Sequence, residues 1–452
     1  MKPETPIAIM WHRRDLRLHD NAALYYALKA GRPVLPLFIF DKDILDHLND
    51  KRDRRVEFIY EEVLAMQQAL HKQGSTLLVR YGRPLDVFKE LASEYTLANV
   101  FTNYDYETYA KGRDAEVATY LKSVNAGFHS YKDQTLFDRD EVLTGSGKPY
   151  TVFGPYSRNW LSKLDDPFYL KSYPTEKYAD RFLKTAPTPM VTLEQMGFEP
   201  LNEKFPKSTV SDKLLTTYDK TRDFPAQRGT SELSIHLRFG TISIRELARQ
   251  AQANNLTYLK ELCWRDFYFQ VLDHFPHVEH ESFRREYDQV PWLNRPEDIE
   301  RWKAGQTGYP LVDAGMRQLN EIGWMHNRVR MVTASFCVKH LLIDWRIGEA
   351  YFAEKLRDYD LSANNGGWQW AAGSGTDAAP YFRVFNPTEQ ARKFDPKGEY
   401  IRRWVPEYNN PAGASVTYPA PIVDHAFARQ RAITTYKTAL NAEKNGEPVK
   451  LR

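Results

Sequence analysis

The sequence predicts an α/β N-terminal domain built on a Rossmann-like parallel sheet, followed by an all-α C-terminal domain. Three observations carry this expectation. The first 130 residues alternate short apolar runs with helical patterns, which implies parallel strands with helices on both faces. After about Ser208 apolar residues recur at helical spacing almost to the end. At 452 residues the chain exceeds one small core and should hold two domains or more.

Within the first part, Ile7–Trp11, Val34–Phe40, Leu77–Arg80 and Val100–Asn103 read as strands. Between them Asn21–Ala30, Arg54–Gln73, Leu85–Tyr95 and Lys111–Ser123 read as helices. A ligand is then expected at the carboxyl ends of the strands. Neither G-x-G-x-x-G nor G-x-x-x-x-G-K-[ST] occurs, so those phosphate cradles are not indicated. From 131 to 207 the periodicity fades and Pro, Lys and Asp cluster, as in KLDDPFYLKSYP. That stretch reads as a long connector over the surface. In the third part, residues 208–452, the clearest helices are Ile244–Ala253, Tyr258–Phe275, Val312–Ile322, Arg328–His340 and Ala350–Leu356.

Hydrophobic content of 42% and charged content of 27% describe a soluble globular chain. No apolar run approaches the roughly eighteen residues of a membrane helix. The N-terminus, MKPETPIAIMWHRRD, lacks the flanks of a signal peptide, so a cytoplasmic location is expected. Cys263 and Cys337 stand in no metal-binding motif and read as buried thiols. A net charge of +3 does not demand nucleic acid, although a whole-chain sum hides local patches. Aromatic content of 13% is high, and the tryptophans concentrate in the second half.

Asp358 to Trp370, DYDLSANNGGWQW, is the most unusual segment. It fits neither strand alternation nor a helical apolar stripe. Gly366 and Gly367 let backbone approach a bulky partner or take positive φ. Trp368 and Trp370, two apart, point opposite ways in an extended segment. A ligand floor and a tryptophan-capped core loop both fit. Glu261, Trp264 and Arg265 share one helix face at i, i+3 and i+4: a pocket wall, or a salt-bridged surface. Asn327, Arg330 and Met331 share another, where a buried amide and arginine need partners such as Asp358 or Asp360. Gly229, Thr230, Ser231 and Ser234 precede a helix, as an anion cradle does. A simple cap by Ser231 or Ser234 looks similar.

Together and in this order, the segments resemble the photolyase/cryptochrome flavoprotein family. The motifs are WHRRDLRLHDN at residues 11–21, TGYPLVDAGMRQL, GWMHNRVRM, LLIDWR and NNGGWQWAAGSGTDAAPYFRVFNP, and they span nearly the whole chain. The resemblance implies an antenna-binding α/β domain, a linker, and a helical domain holding FAD in a folded conformation. It places Tyr218, Thr230, Ser231, Leu233 and Ser234 on the phosphate side of FAD. Arg265, Asn327, Arg330, Asp358, Asp360 and Asn364 fall on its flavin and adenosine side. Arg330 paired with Asp358 would stabilise reduced flavin, and Asn364 would sit near its N5. An acid there marks plant photoreceptors of the family and a cysteine animal ones, so asparagine favours the repair branch.

Trp368, Trp345 and Trp292 match the family's electron relay. Glu261, Trp264, Arg328, Met331 and Trp370 match the pattern for cyclobutane pyrimidine dimers in DNA, and Arg383 joins Arg328 as a candidate for flanking phosphates. Met331 stands where (6-4) enzymes carry a second histidine beyond the equivalent of His326. The implied activity is a deoxyribodipyrimidine photo-lyase: the lesion flips out of the duplex, as photolyases do in general. It accepts an electron from excited reduced FAD, with Glu261 stabilising the charge that develops. A blue-light photoreceptor signalling through a protein is the alternative, and its usual long C-terminal extension is not expected here. Two departures stand out. Glu232 replaces a basic or amide residue. Thr108, Tyr109 and Ala110 follow NYDYE where folate-binding relatives carry an Asn-Glu pair. That speaks against a folate antenna bound in that manner and leaves a deazaflavin, another flavin or none. A monomer without membrane attachment is expected.

Overall fold

The computed structural model describes residues 5–409 and 417–444. Five parallel strands form one sheet: β1 (Ile7–His12), β2 (Val34–Asp41), β3 (Leu78–Gly82), β4 (Leu97–Asn103) and β5 (Gly127–Tyr131). Their order is β3-β2-β1-β4-β5, so the winding reverses between β1 and β4, where such folds open a crevice. Every residue of β1 and β2 is buried, which is why the central strands read as continuous apolar runs. β5, GFHSY, has no fully buried residue. It escaped sequence reading because an edge strand carries little apolar signal.

Helices α1 (Ala22–Lys29), α2 (Arg54–His71), α3 (Pro84–Glu94) and α4 (Thr108–Ser123) connect the strands. The Asn21 side chain caps α1 by accepting from the Leu24 amide, and Asp53 caps α2 at the Arg55 amide. The stretch 131–207, expected to be irregular, holds a twelve-residue helix, α5 (Phe153–Leu164). Gly154 and Pro155 in its first turn hide the period, yet Tyr156 and Trp160 are buried on it.

The described residues divide into two compact units, one within Met1–Val142, Arg158–Val210 and Glu232–Leu262. The other lies within Leu143–Ser157, Ser211–Ser231 and Cys263–Arg452. The first contains the sheet and a buried ion-pair cluster. Asp133 accepts from Arg17 and from Arg245, at 2.8 Å for the latter, while Asp20 accepts from Arg245 Nε at 3.0 Å. The second unit is helical, and its largest apolar cluster includes Trp302, Leu319, Phe336, Trp345 and Trp368.

The helices that matter for the site are α6 (Asp212–Thr221), α7 (Ser234–Phe239), α8 (Ile244–Asn254), α9 (Leu256–His274), α10 (Pro296–Lys303), α11 (Pro310–Ile322), α12 (Asn327–Ser335), α13 (Trp345–Lys355), α14 (Leu361–Ala372) and α15 (His425–Lys444). The expected helix from Arg328 to His340 is continuous but changes its winding part-way. After Ser335 the chain widens into a π-turn, Phe336–His340, and Leu342 then takes φ +50°. Such turns recur at functional sites. Cys263 and Cys337 are both buried and form no disulfide.

Candidate functional site

DYDLSANNGGWQW is a helix from Leu361 onward, α14, rather than the irregular segment its composition suggested. Asp360 is its N-cap, accepting from the Ser362 amide at 3.1 Å and from the Ser362 hydroxyl. Asn365 and Gln369 donate inward to the Val278 carbonyl at 2.7 and 3.0 Å. These buried amides erase the apolar stripe. Trp368 and Trp370 still point apart, but for a helical reason: two residues turn about 200° on a helix. Trp368 is buried and Trp370 half-buried. Gly366 is required by a close approach, since a Cβ there would lie 2.2 Å from the Tyr268 ring. Gly367 faces open space, with nothing within 4 Å of a Cβ.

Asn364, one turn into α14, donates its amide to the Glu349 side chain at 2.8 Å and to the Glu349 carbonyl at 3.1 Å. Its Oδ1 accepts no hydrogen bond among the described residues. Burial pushes the Glu349 carboxyl up, and the Asn364 hydrogen bond opposes this. Glu349 is a neighbour that sequence reading missed, since nothing local ties residue 349 to 364.

On α12, Arg330 Nη2 donates to both oxygens of Asp358, at 2.9 and 3.2 Å, and Nε donates to the Met325 carbonyl at 2.7 Å. Of the two acids open to it on sequence grounds, Arg330 takes Asp358. The Asp358 side chain is 2% exposed and that of Arg330 26%, so a buried carboxylate holds a cation whose Nη1 has no partner among the described residues. Asn327, expected as a buried amide, is exposed at the first position of α12 and needs no internal partner. Arg328 donates to Asp223 at 2.7 Å, and its guanidinium lies 4.3 Å from the Phe394 ring centre. Met331 is half-buried beside it, with Sδ 3.8 Å from Arg328 Nη1. His326 caps α12 by accepting from the Arg328 amide at 3.1 Å. Burial lowers its pKa to about 4, which keeps the ring neutral and able to accept.

Glu261, Trp264 and Arg265 stand on α9, all half-buried. Phe153, unnoticed in the sequence, lies parallel on Trp264 with ring centres 3.5 Å apart and planes within 6°. Arg265 reaches the Phe269 ring at 4.7 Å. Tyr218 is buried on α6 under the Arg222 guanidinium, 5.3 Å from its ring centre. Thr230 and Ser231 are half-buried in the loop before α7, Leu233 is buried and Ser234 exposed. Neither serine caps α7; the cap position is Leu233, without a side-chain hydrogen bond. Glu232 instead takes φ +54°, a left-handed conformation costly for a side-chain-bearing residue. At Gly229 a Cβ would lie 2.6 Å from the Thr221 carbonyl, so glycine is needed for that packing.

Trp368 and Trp345 are buried members of one apolar cluster, and half-buried Trp292 packs on it. α13 closes on Trp368 at Gly348, where a Cβ would sit 2.1 Å from the indole. Trp302, not singled out in the sequence, meets Trp368 edge-on at 6.0 Å. Arg383 is exposed in the loop after α14.

Residues 8–175 match the family model described as DNA photolyase, and residues 258–438 that of the FAD binding domain of DNA photolyase. The chain belongs to the DNA photolyase family. A deoxyribodipyrimidine photo-lyase of Synechococcus sp. is 38% identical over 97% of this chain and 99% of its own length. Among solved structures, a bacterial class III photolyase from Agrobacterium tumefaciens is 33% identical with a TM-score of 0.84, covering 98% of this chain and 99% of that one. An archaeal photolyase from Sulfolobus tokodaii, solved with two FAD molecules, is 33% identical with a TM-score of 0.76, covering 95% of this chain and 99% of that one.

The residues present fit FAD. A half-exposed cation on a buried carboxylate suits an anionic isoalloxazine, and the Asn364 amide oxygen suits a ring N–H. Among the described residues no helix is long and apolar enough to cross a membrane.

Proposed function

We propose that this chain repairs cyclobutane pyrimidine dimers in DNA by light-driven electron transfer. One observation carries the reading: the Arg330–Asp358 pair presents a guanidinium with its Nη1 open, from the same helical unit that buries Trp368 and Trp345. Bound FAD supplies the absorption of light and the electron. Arg330 offsets the negative charge of the reduced ring, and Asp358 keeps Arg330 charged and oriented. Asn364 offers an amide rather than an acid, so it orients a ring N–H without readily donating a proton. Arg265, Asn327 and Asp360 complete the flavin and adenosine side, and Tyr218, Thr230, Ser231, Leu233 and Ser234 the phosphate side.

On the substrate side, Trp264, stiffened by Phe153, and Trp370 offer apolar surfaces to the extruded bases, as does Met331. Glu261 stabilises charge developing on the dimer through a hydrogen bond. Arg328 and Arg383 hold flanking phosphates, which position DNA without reading its sequence. Trp368, Trp345 and Trp292 form a path from buried to half-buried for reducing oxidised flavin. For an antenna, the Tyr109 hydroxyl donates to Asp41 at 2.8 Å, which supports a site other than the Asn-Glu folate type. Buried cysteines outside any disulfide suit a reducing cytoplasm, and one flavin with one lesion suits a monomer.

The test is an oligonucleotide carrying one cyclobutane thymine dimer, incubated with the reduced protein under blue light and in darkness. Restored thymines in the light alone are expected; no repair by a protein that holds photoreducible FAD refutes the reading and favours a photoreceptor. Glu261→Ala should lower the yield by about tenfold or more with FAD retained, and an unchanged yield removes Glu261 from that role.

A further inference from the structure

Lys339 lies on the π-turn Phe336–His340 and is 1% exposed, the one fully buried lysine among the described residues. Its ammonium donates to the main-chain carbonyl of Arg383 at 2.9 Å. No carboxylate stands within ion-pair distance of it among the described residues. Burial, and then the charge of Arg383, lower its pKa to about 7. An unpaired buried cation is unfavourable, and methionine would fill the same space without that cost. Packing alone therefore does not account for a lysine here.

The carbonyl it holds belongs to the loop after α14. That loop starts at Gly373, with φ +91°, and passes through Asp377, with φ +48°. It then turns tightly, the Arg383 amide donating to the Pro380 carbonyl at 2.8 Å. The turn puts Phe382, 57% exposed, and Arg383 on the outside. On the inside Tyr381 stacks flat on Tyr436 at 5.9 Å. Lys339 supplies the polar half of that inner anchorage.

We propose that Lys339 is a positioning residue for lesion binding: from beneath, its ammonium fixes the turn that presents Phe382 and Arg383 to DNA. The π-turn gives this its geometry, since a regular helical turn would place position 339 differently. A charge-assisted bond is shorter and stronger than a neutral one, so it adds to the Tyr381–Tyr436 contact in holding the exposed turn. The titratable groups nearby are Arg383 above it and His340 beside it. His340 faces His425 and Arg431 of α15, and burial lowers its pKa to about 3, so it stays neutral. The inference rests on reading the Arg383 loop as facing DNA.

The full-length, FAD-loaded protein is compared with its Lys339→Met, Lys339→Arg and Arg383→Ala variants. Dark affinity for a dimer-containing oligonucleotide, and repair yield per absorbed photon at saturating DNA, are measured across pH 7. Lys339→Met should bind about tenfold more weakly, the size of one lost charge-assisted hydrogen bond, with a much smaller change in yield. Lys339→Arg, which keeps the charge, should bind better than Lys339→Met; a space-filling role predicts the reverse order. Wild-type affinity should weaken as pH rises through about 7, while that of Lys339→Met stays flat. If the arginine variant does not fold, this pH contrast decides. Wild-type affinity in Lys339→Met, with weak binding by Arg383→Ala, overturns the role of Lys339 and leaves the DNA-facing loop standing. Wild-type affinity in Arg383→Ala overturns both.

Discussion

The polar cluster beside the sheet and the polar residues around α14 each contain a carboxylate–arginine pair, and they are finished differently. Beside the sheet, Asp133 takes Arg17, Arg245 and the Ala22 amide, while Asp20 takes Arg245, the Ser243 hydroxyl and the Tyr173 amide. Around α14, the partly exposed Arg330 Nη1 and Asn364 Oδ1 meet no partner among the described residues, and neither does the buried Trp345 Nε1. The first cluster spends both oxygens of each carboxylate internally and works as a clamp, although the buried Arg17 Nε has no partner among the described residues. The second holds capacity for something else, as a ligand site must. Charge alone therefore does not mark function, nor does a single unspent donor; open capacity on partly exposed side chains such as Arg330 and Asn364 does.

Breaking the clamp should have the largest effect on folding. Asp133→Ala leaves the buried Arg17 without its carboxylate and Arg245 with Asp20 alone, and removing one partner of a buried pair costs about 3–5 kcal/mol. Denaturant unfolding should show a loss of that size, and a loss below about 1 kcal/mol would place the cluster's weight elsewhere. The matching change in the site is Asp358→Ala. It should weaken FAD retention by about tenfold or more while lowering unfolding stability less, because Arg330 reaches solvent. FAD absorbance per protein after dialysis reads the first, and the same denaturation curve the second. Full FAD retention would mean that the pair serves packing alone. Trp345→Phe divides the site further: photoreduction of oxidised flavin should fall at least tenfold, with repair by pre-reduced protein kept. Normal photoreduction removes Trp345 from the relay.

The same contrast explains what the sequence could and could not reveal. β1 and β2 were legible because burial on both faces makes continuous apolar runs, whereas the edge strand β5 was not. α14 was hidden because Asn365 and Gln369 spend their amides inward and Gly366 admits the Tyr268 ring. Phe153 against Trp264 and Glu349 against Asn364 were invisible, as each pair joins residues distant in the chain or on separate helices. Motif order brought out Arg330 and Asp358, and the partial choice between Asp358 and Asp360 needed coordinates. Asp360 is occupied with capping, a role that short spacing to Ser362 could have suggested.

The smallest predicted effect tests whether neutrality, as well as pairing, is built into the site. His326 accepts a hydrogen bond at the start of α12, so it must be uncharged there. Burial holds its pKa at about 4 in the fold, against the ordinary 6.5. The unfolded chain therefore binds the extra proton first as pH falls. Stability is complete above about pH 6.5, declines between there and about pH 4, and levels off below. The loss is at most roughly 3 kcal/mol from this one group, and His340, buried with a pKa of about 3, adds to it. His326→Asn keeps a side-chain oxygen for the cap and has nothing to titrate. The difference between wild type and His326→Asn unfolding curves thus isolates His326 from His340. That difference should shrink as pH falls from neutral toward 4, because only the wild type loses stability from protonation at this position. If it stays constant, the ring is already protonated or solvated in the fold, and its capping bond is not what orders the helix that carries Arg330.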